Sequence, residues 1–290
     1  MELLSTRDRT VVSGVFLAFL LILVLLWHQQ FRRDRVTEES TSKTIEGLGF
    51  VSNLKLTILY DNNPYNSSVT AAWGFSCLIQ TEATTVLFDT GGDGHILLEN
   101  MARLGIDASK VDVVVLSHIH SDHVGGLAAI LEKNNRMRMC LPSSFADWFK
   151  LDIKRYRCEV IEVSNGTKIS KGVATTGELN RGIKEQAVLL NTQKGLIVIT
   201  GCAHPGIVNI ARIAKELTGT SIHLIIGGFH MAGLSAGKIS SIIEGIKSLG
   251  VEQVGPCHCS GDLARKMFKD AYGEKYVDTG VGRIIELKTC

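Results

Sequence analysis

The segment Ser117-His118-Ile119-His120-Ser121-Asp122-His123-Val124-Gly125-Gly126 sets three imidazoles and a carboxylate within six positions. Neutral imidazole offers nitrogen and carboxylate offers oxygen, donors that suit zinc, iron or manganese. Four such groups crowded together are costly to desolvate unless a cation coordinates them. The spacing therefore points to a metal site rather than to a chance cluster of surface histidines. The run just before it, Val111-Asp112-Val113-Val114-Val115-Leu116, is short and β-branched and reads as a buried strand. The donors thus follow a strand's end, where a loop can fold several of them around an ion.

The same device recurs along the chain. Phe88-Asp89-Thr90-Gly91-Gly92 follows the strand Thr85-Val86-Leu87, and Ile199-Thr200-Gly201-Cys202-Ala203-His204-Pro205-Gly206 is a strand leading to one more histidine. Ile226-Gly227-Gly228-Phe229-His230 and Pro256-Cys257-His258-Cys259-Ser260-Gly261 repeat it. In pattern and order these five segments resemble the motifs of the metallo-β-lactamase superfamily. The last three are worded like one branch, the 7,8-dihydropterin-6-methyl-4-(β-D-ribofuranosyl)aminobenzene-5′-phosphate synthases, related to methanopterin biosynthesis. The resemblance covers roughly Leu54 to Leu287 and implies a four-layer αβ/βα sandwich with a metal cleft along one edge of two facing sheets.

It also implies a ligand set. His118, His120 and His204 would hold a first divalent metal, and Asp122, His123 and His258 a second, with zinc favoured and iron or manganese as alternatives. Water between two such cations loses a proton near neutrality and attacks as hydroxide, while the metals polarise a carbonyl or phosphoryl oxygen. No serine or cysteine nucleophile is then needed. Asp89 would orient a ligand imidazole or pin the Thr90-Gly91-Gly92 turn.

Two departures bear on specificity. His230 stands where many binuclear members carry a bridging aspartate, and a neutral imidazole does not readily bridge. His230 therefore either binds one metal or touches substrate, and the lost carboxylate favours anionic substrates such as phosphates. Asp122 and His230 are the residues assigned a direct catalytic part. The second departure is the short stretch between Thr176-Gly177-Glu178 and Ala187, where branch members usually carry a longer insert. The pocket should be more open, with Glu178 and Arg181 as candidate substrate contacts against the alternative of a solvated loop. Cys202 reads as a small packing residue and not as a partner of His204. Cys257 and Cys259 flank His258 and on a strand would point away from it, so they too read as packing. His28, His95 and His223 fall outside the motifs and read as ordinary.

The chain has 290 residues, 31 basic and 29 acidic, with 29 glycines and 4 prolines. One large domain with many tight strand-to-helix turns suits this composition. Near-neutral charge without a basic stripe disfavours nucleic acid as a partner and leaves a small molecule, anionic or phosphorylated. The seven cysteines show no disulfide framework. Residues 1–10 read as a short tail. Residues 11–31 carry no Asp, Glu, Lys or Arg, are apolar on every face and read as a transmembrane anchor rather than a cleaved signal peptide. Residues 32–53 read as a linker and 54–290 as the metallo-β-lactamase-like domain. The expected location is therefore a single-pass membrane protein whose lipid partner is met through this helix. Arg7 and Arg9 before the span nearly balance Arg32, Arg33 and Arg35 after it, with a slight lean to a cytoplasmic catalytic domain. Asn66-Ser67-Ser68 and Asn165-Gly166-Thr167 are glycosylation acceptors only in a secretory protein.

Periodicity alone gives a mixed α/β protein. Strands are expected at Leu54–Tyr60, Phe75–Ile79, Val86–Asp89, Val111–Leu116, Ala187–Asn191, Leu196–Thr200 and Ile222–Ile226. Helices are expected at Ile96–Leu104, Leu127–Lys133, Ile207–Leu217, Lys238–Leu249 and Leu263–Tyr272. The function expected is a membrane-anchored metal-dependent hydrolase acting on an ester, lactone or phosphate ester. The alternatives are synthase-like activity on a phosphorylated ribofuranosyl aminobenzene substrate and, from a different class, an iron-dependent redox enzyme of persulfide dioxygenase or oxygen reductase type.

Overall fold

Alternating apolar residues along the central strands dictate how the chain layers. The computed structural model describes residues 44–288. In strand β3 (Thr85–Phe88), Val86 and Phe88 enter one core and Leu87 another. Strand β10 (Gly195–Thr200) divides Ile197 and Ile199 from Val198 in the same way. Strands apolar on both sides need cover on both faces.

Two sheets meet that need. The first runs β13 (Ile284–Lys288), β1 (Asn53–Tyr60), β2 (Ser76–Thr81), β3, β4 (Val113–Val115), β5 (Arg138–Pro142) and β6 (Glu159–Val163) in spatial order. The second runs β12 (Gln253–Cys257), β11 (Ile222–Gly228), β10, β9 (Val188–Thr192), β8 (Val173–Thr175) and β7 (Thr167–Ser170). Their facing sides share one core, with Ile58, Ile79, Phe88 and Val115 against Leu190, Ile199 and Ile226. Helices α1 (Gly94–Arg103), α3 (Leu127–Lys133) and α4 (Asp147–Arg155) cover the outer face of the first sheet through Leu97, Ile130 and Ile153. Helices α5 (Ile207–Thr218), α6 (Ala236–Ser248) and α7 (Asp262–Tyr272) cover the second through Ile210, Ile243 and Phe268. The result is the expected four-layer αβ/βα arrangement.

What positions the site is strand direction. β3, β4, β5 and β6 run parallel, and so do β10, β11 and β12. Each parallel run brings the carboxyl ends of successive strands to one edge, where loops can converge on a ligand. The remaining short helix, α2 (Ser121–Val124), lies in the loop that follows β4.

Several expectations are corrected. The helix expected to start at Ile96 starts at Gly94, because Asp93 Oδ1 accepts the N–H groups of His95 and Ile96 as an N-cap. The strand expected over Val111–Leu116 is shorter, Val113–Val115, although Asp112 N–H still donates to Thr85 O and Leu116 N–H to Cys140 O at its ends. The expected linker, 32–53, is part of the fold where it is described. Ile45 N–H donates to Leu217 O, Gly172 N–H to Leu48 O and Val51 N–H to Asn191 O, with Leu48 and Val51 buried. Its charged residues masked three apolar anchors.

Membrane localisation is also corrected. The segment 11–31 lies outside the described residues, and among the described residues no helix is long and apolar enough to cross a membrane. The longest, α6, has 13 residues and rises only about 20 Å, against a hydrocarbon core of about 30 Å. The single-pass assignment is therefore set aside.

The core between the sheets is expected to carry the stability of the whole edge. Ile226→Ala, at a fully buried position shared by both sheets, should cost about 2–5 kcal/mol in urea denaturation. A loss below about 1 kcal/mol would contradict that packing.

Candidate metal centre

The strand ends deliver one functional group after another to the shared edge. Asp89 follows β3; Ser117, His118 and His120 follow β4, and Asp122 and His123 lie in α2 beyond them. Cys202 and His204 follow β10, His230 follows β11, and His258 follows β12. Four of these turns hold a residue other than glycine at positive φ: Asp89 (58°), Ala203 (60°), His230 (50°) and His258 (48°). Such conformations cost about 1–3 kcal/mol each, and they gather at functional sites. The sheets also approach closely here. A Cβ on Gly201 would lie 2.2 Å from Ser117 Oγ and 2.9 Å from Asp89 Oδ2, so only glycine fits.

Hydrogen bonds fix how the imidazoles face. Buried Asp89 accepts the Ser117 N–H through Oδ1 at 2.6 Å, and the Ser117 hydroxyl through Oδ2 at 2.6 Å. Its Oδ2 also receives His123 Nδ1–H at 2.7 Å, which leaves the His123 Nε2 lone pair facing inward. Ser117 Oγ in turn takes His118 Nδ1 at 2.8 Å, so His118 also presents Nε2. On the far side, His258 Nδ1–H donates to Asn62 Oδ1 at 2.9 Å, while Asn62 Nδ2 donates to the His258 carbonyl. The His258 N–H donates to buried Asp61. Partners of this kind set tautomer and ring direction in metal sites.

A second buried carboxylate does the same for the loop after β10. Glu185 Oε1 accepts the N–H groups of Cys202 and Ala203, each at 2.9 Å, and Oε2 accepts that of His204 at 2.8 Å. Burial pushes its pKa up, and these three N–H groups partly offset that rise.

The imidazoles form a continuous cluster. Ring centroids lie 4.6 Å apart for His118 and His120, 4.2 Å for His118 and His123, and 4.8 Å for His118 and His204. His123 and His258 are 5.0 Å apart, and His204 and His230 4.3 Å. Burial and then the neighbouring imidazoles drive the His118 pKa far down, and they push that of His204 down to about 4. Burial works against the His123 cation, but Asp89 outweighs it and holds the pKa above its ordinary value. Partial burial likewise opposes ionisation of Asp122, yet His258 and His123 keep its carboxyl well below the usual range. Exposed His230 is raised, chiefly by a hydrogen bond with Cys259. The Cys202 thiol is raised by its bond to Cys259 and by burial, and Cys259 is lowered by the same bond.

The donor chemistry fits a divalent metal. His204 Nε2 and His258 Nε2 are buried and have no hydrogen-bond partner among the described residues. His258 Nε2 stands 3.3 Å from Asp122 Oδ2 without hydrogen-bonding geometry. An orphaned buried polar atom costs about 1–3 kcal/mol, and a cation at these lone pairs would remove that penalty. His118 Nε2 and His120 Nδ1 approach to 3.0 Å, as two donors to one ion would.

The structure thus brings together His118, His120, Asp122, His123, His204, His258 and, at the rim, His230, with Asp89 behind them. It does not bring Glu178 into the cluster. That carboxylate accepts the Ser144 N–H at 2.8 Å and pairs with Lys184 at 2.8 Å, and Arg181 is exposed. Sequence reasoning missed Glu185, Asn62 and Ser117 as positioning groups. Glu185, a charge at the head of an apolar strand, was the one detectable signal. Cys202, expected as a small packing residue, is indeed buried, and its sulfur also lies 3.2 Å from His123 Nε2. Cys257 does join the core between the sheets. The six described cysteines are free.

Comparison with known proteins agrees with this geometry. The family model of the metallo-β-lactamase superfamily matches residues 74–138, from before β2 to the start of β5. The solved structure of Tm1679, a metal-dependent hydrolase of the β-lactamase superfamily, is 30% identical with a TM-score of 0.69, covering 81% of this chain and 100% of that one. The chain belongs to the metallo-β-lactamase superfamily. It is also 28% identical to a 7,8-dihydropterin-6-methyl-4-(β-D-ribofuranosyl)-aminobenzene-5′-phosphate synthase of Methanocaldococcus jannaschii, over 82% of this chain and 98% of that protein. A diphosphatase of the PhnP family shares the fold at 16% identity and a TM-score of 0.57, over 83% of this chain and all of that one. Superfamily members are mostly hydrolases and typically bind divalent metals, often zinc.

Glu185→Gln keeps the shape but replaces one accepting oxygen with an amide that faces N–H donors. It is expected to lower stability by about 1–3 kcal/mol in thermal or urea unfolding. Unchanged stability would mean that the three backbone donors do not depend on this carboxylate.

Proposed function

We propose that this protein is a metal-dependent hydrolase acting on phosphate esters or related esters and lactones. The observation that carries the proposal is the pair of buried, unpartnered nitrogens, His204 Nε2 and His258 Nε2, set within a cluster of inward-facing imidazoles and Asp122. His118, His120 and His204 would hold one ion, and Asp122, His123 and His258 a second, most suitably zinc. Bound there, a divalent metal supplies Lewis acidity, which polarises a carbonyl or phosphoryl oxygen and lowers the pKa of water.

The chain's own residues do the rest. Asp89, Ser117 and Asn62 hold three imidazoles in the tautomer whose lone pair faces the site. Asp122 stays ionised beside His258 and His123. His230 is exposed at the rim with a raised pKa, so it suits contact with an anionic substrate group. This favours the substrate-contact role for His230.

Turnover of bis(p-nitrophenyl) phosphate by the purified protein is expected to be abolished by chelator, restored by zinc and lost in His118→Ala. Turnover that survives both chelation and His118→Ala would rule out metal-dependent hydrolysis. His230→Ala is expected to raise KM for an anionic ester while leaving metal content unchanged. A loss of bound metal would instead make His230 a ligand.

A second reading is synthase-like activity on a phosphorylated ribofuranosyl aminobenzene compound, suggested by the named relative from Methanocaldococcus jannaschii. One feature of this chain favours it: Trp73 is 57% exposed and its ring lies 5.0 Å from that of His258. An exposed indole beside the site suits a planar aromatic group. Trp73→Ala should raise KM for an aryl phosphate ester and leave that for an alkyl ester unchanged. Equal effects on both would remove the aromatic preference.

A further inference from the structure

We infer that Cys202 supplies a thiolate donor to the metal centre, its sulfur standing between the two sets of imidazoles. The inference rests on the metal-centre reading above and extends it. Cys202 is common to all three groups of donor atoms found among the described residues. Its Sγ falls within 4.8 Å of the donor atoms of His118 and His204, of those of His123 and His258, and of those of His230 and Cys259. Cys259 shares only the last group.

Position and surroundings separate Cys202 from a packing cysteine. Cys77, Cys140 and Cys257 lie in the core between the sheets, and Cys158 lies in the core under the helices of the first sheet. Cys202 is just as buried, at 4% exposure, yet belongs to none of the apolar cores. Its placement is built in. Glu185 takes the N–H groups of Cys202, Ala203 and His204, and Ala203 turns at φ 60°. The sulfur and the His204 imidazole are thereby brought to the same place.

The facing atoms are the second line of argument. His123 gives its Nδ1–H to Asp89, so Nε2 meets the Cys202 sulfur at 3.2 Å with a lone pair. The thiol proton is then the only hydrogen available between them. His258 Nε2, on a residue 2% exposed, has no hydrogen-bond partner among the described residues and lies within 4.8 Å of the same sulfur. With a metal held by His123 and His258, the thiol proton would pass to solvent and the Cys202 sulfur would face the same ion. No oxidant or other reactant is required.

Charge favours the same outcome. Apart from the cysteines, the candidate donors are imidazoles, which bind a metal in their neutral form, and one carboxylate, Asp122. Two dications beside a single anionic ligand leave a buried excess of positive charge, and a thiolate reduces it. Thiolate also softens the donor set, which favours zinc over manganese or magnesium.

X-ray absorption at the zinc edge on the zinc-loaded full chain tests this without reference to activity. A sulfur neighbour at about 2.3 Å is expected in the wild type. It should vanish in Cys202→Ser and persist in Cys259→Ala. The cobalt-loaded protein should show a thiolate-to-metal charge-transfer band with the same dependence. Bound zinc surrounded only by nitrogen and oxygen would overturn the inference while leaving the metal centre intact. So would a sulfur neighbour that survives Cys202→Ser and is lost in Cys259→Ala. No bound zinc at all would overturn both readings. If Cys202→Ser does not fold, Cys259→Ala decides the point: a sulfur neighbour that persists there supports Cys202, and one that is lost overturns the inference.

Discussion

The edge of this molecule depends on one buried carboxylate. Asp89 sits at the end of β3 in a left-handed conformation and ties Ser117, in the loop after β4, to His123 beyond it. Both imidazoles that lie deepest on that side, His118 and His123, take their direction from this group. Glu185 plays the matching part for the second sheet, gathering the backbone of Cys202, Ala203 and His204. The site is therefore built as two halves, one per sheet, each organised by an acid that is itself out of reach of solvent.

That construction explains why the imidazoles can be so crowded. Six histidine rings packed near one another would repel if charged. Burial and mutual repulsion keep His118 and His204 neutral, while Asp89 and Asp122 are placed to meet positive charge. Neutral rings with fixed tautomers are what a metal needs, and they carry a cost when no metal is present: two buried nitrogens without partners among the described residues.

Much of this was legible in the chain, and the reasons are physical. The H-x-H-x-D-H pattern after a β-branched run can be read because donors and strand occupy adjacent positions. The four histidine motifs and Asp89 are local features of the same kind. Glu185, Asn62 and Asp61 were not legible, because each acts on a residue far away in sequence and close only after the two sheets meet. The contact of Cys202 with His123 was hidden for a related reason. Its environment is set by the turn at Ala203 and by His123 from the other sheet, and neither is visible in the segment around it. The first two residues of the Thr176-Gly177-Glu178 motif are buried and Glu178 pairs with Lys184, contacts that the shortened stretch before Ala187 does not reveal. The strands β5 to β8 and β13 gave no clean alternation, being short or partly exposed.

The central claim is that this edge is a divalent metal centre. Equilibrium dialysis of the metal-stripped protein against zinc, followed by elemental mass spectrometry, tests it most directly. A metal centre built from these two halves should retain about two zinc ions per chain, and His118→Ala and His258→Ala should each reduce that number. A wild-type protein that retains no zinc, iron or manganese would contradict the claim.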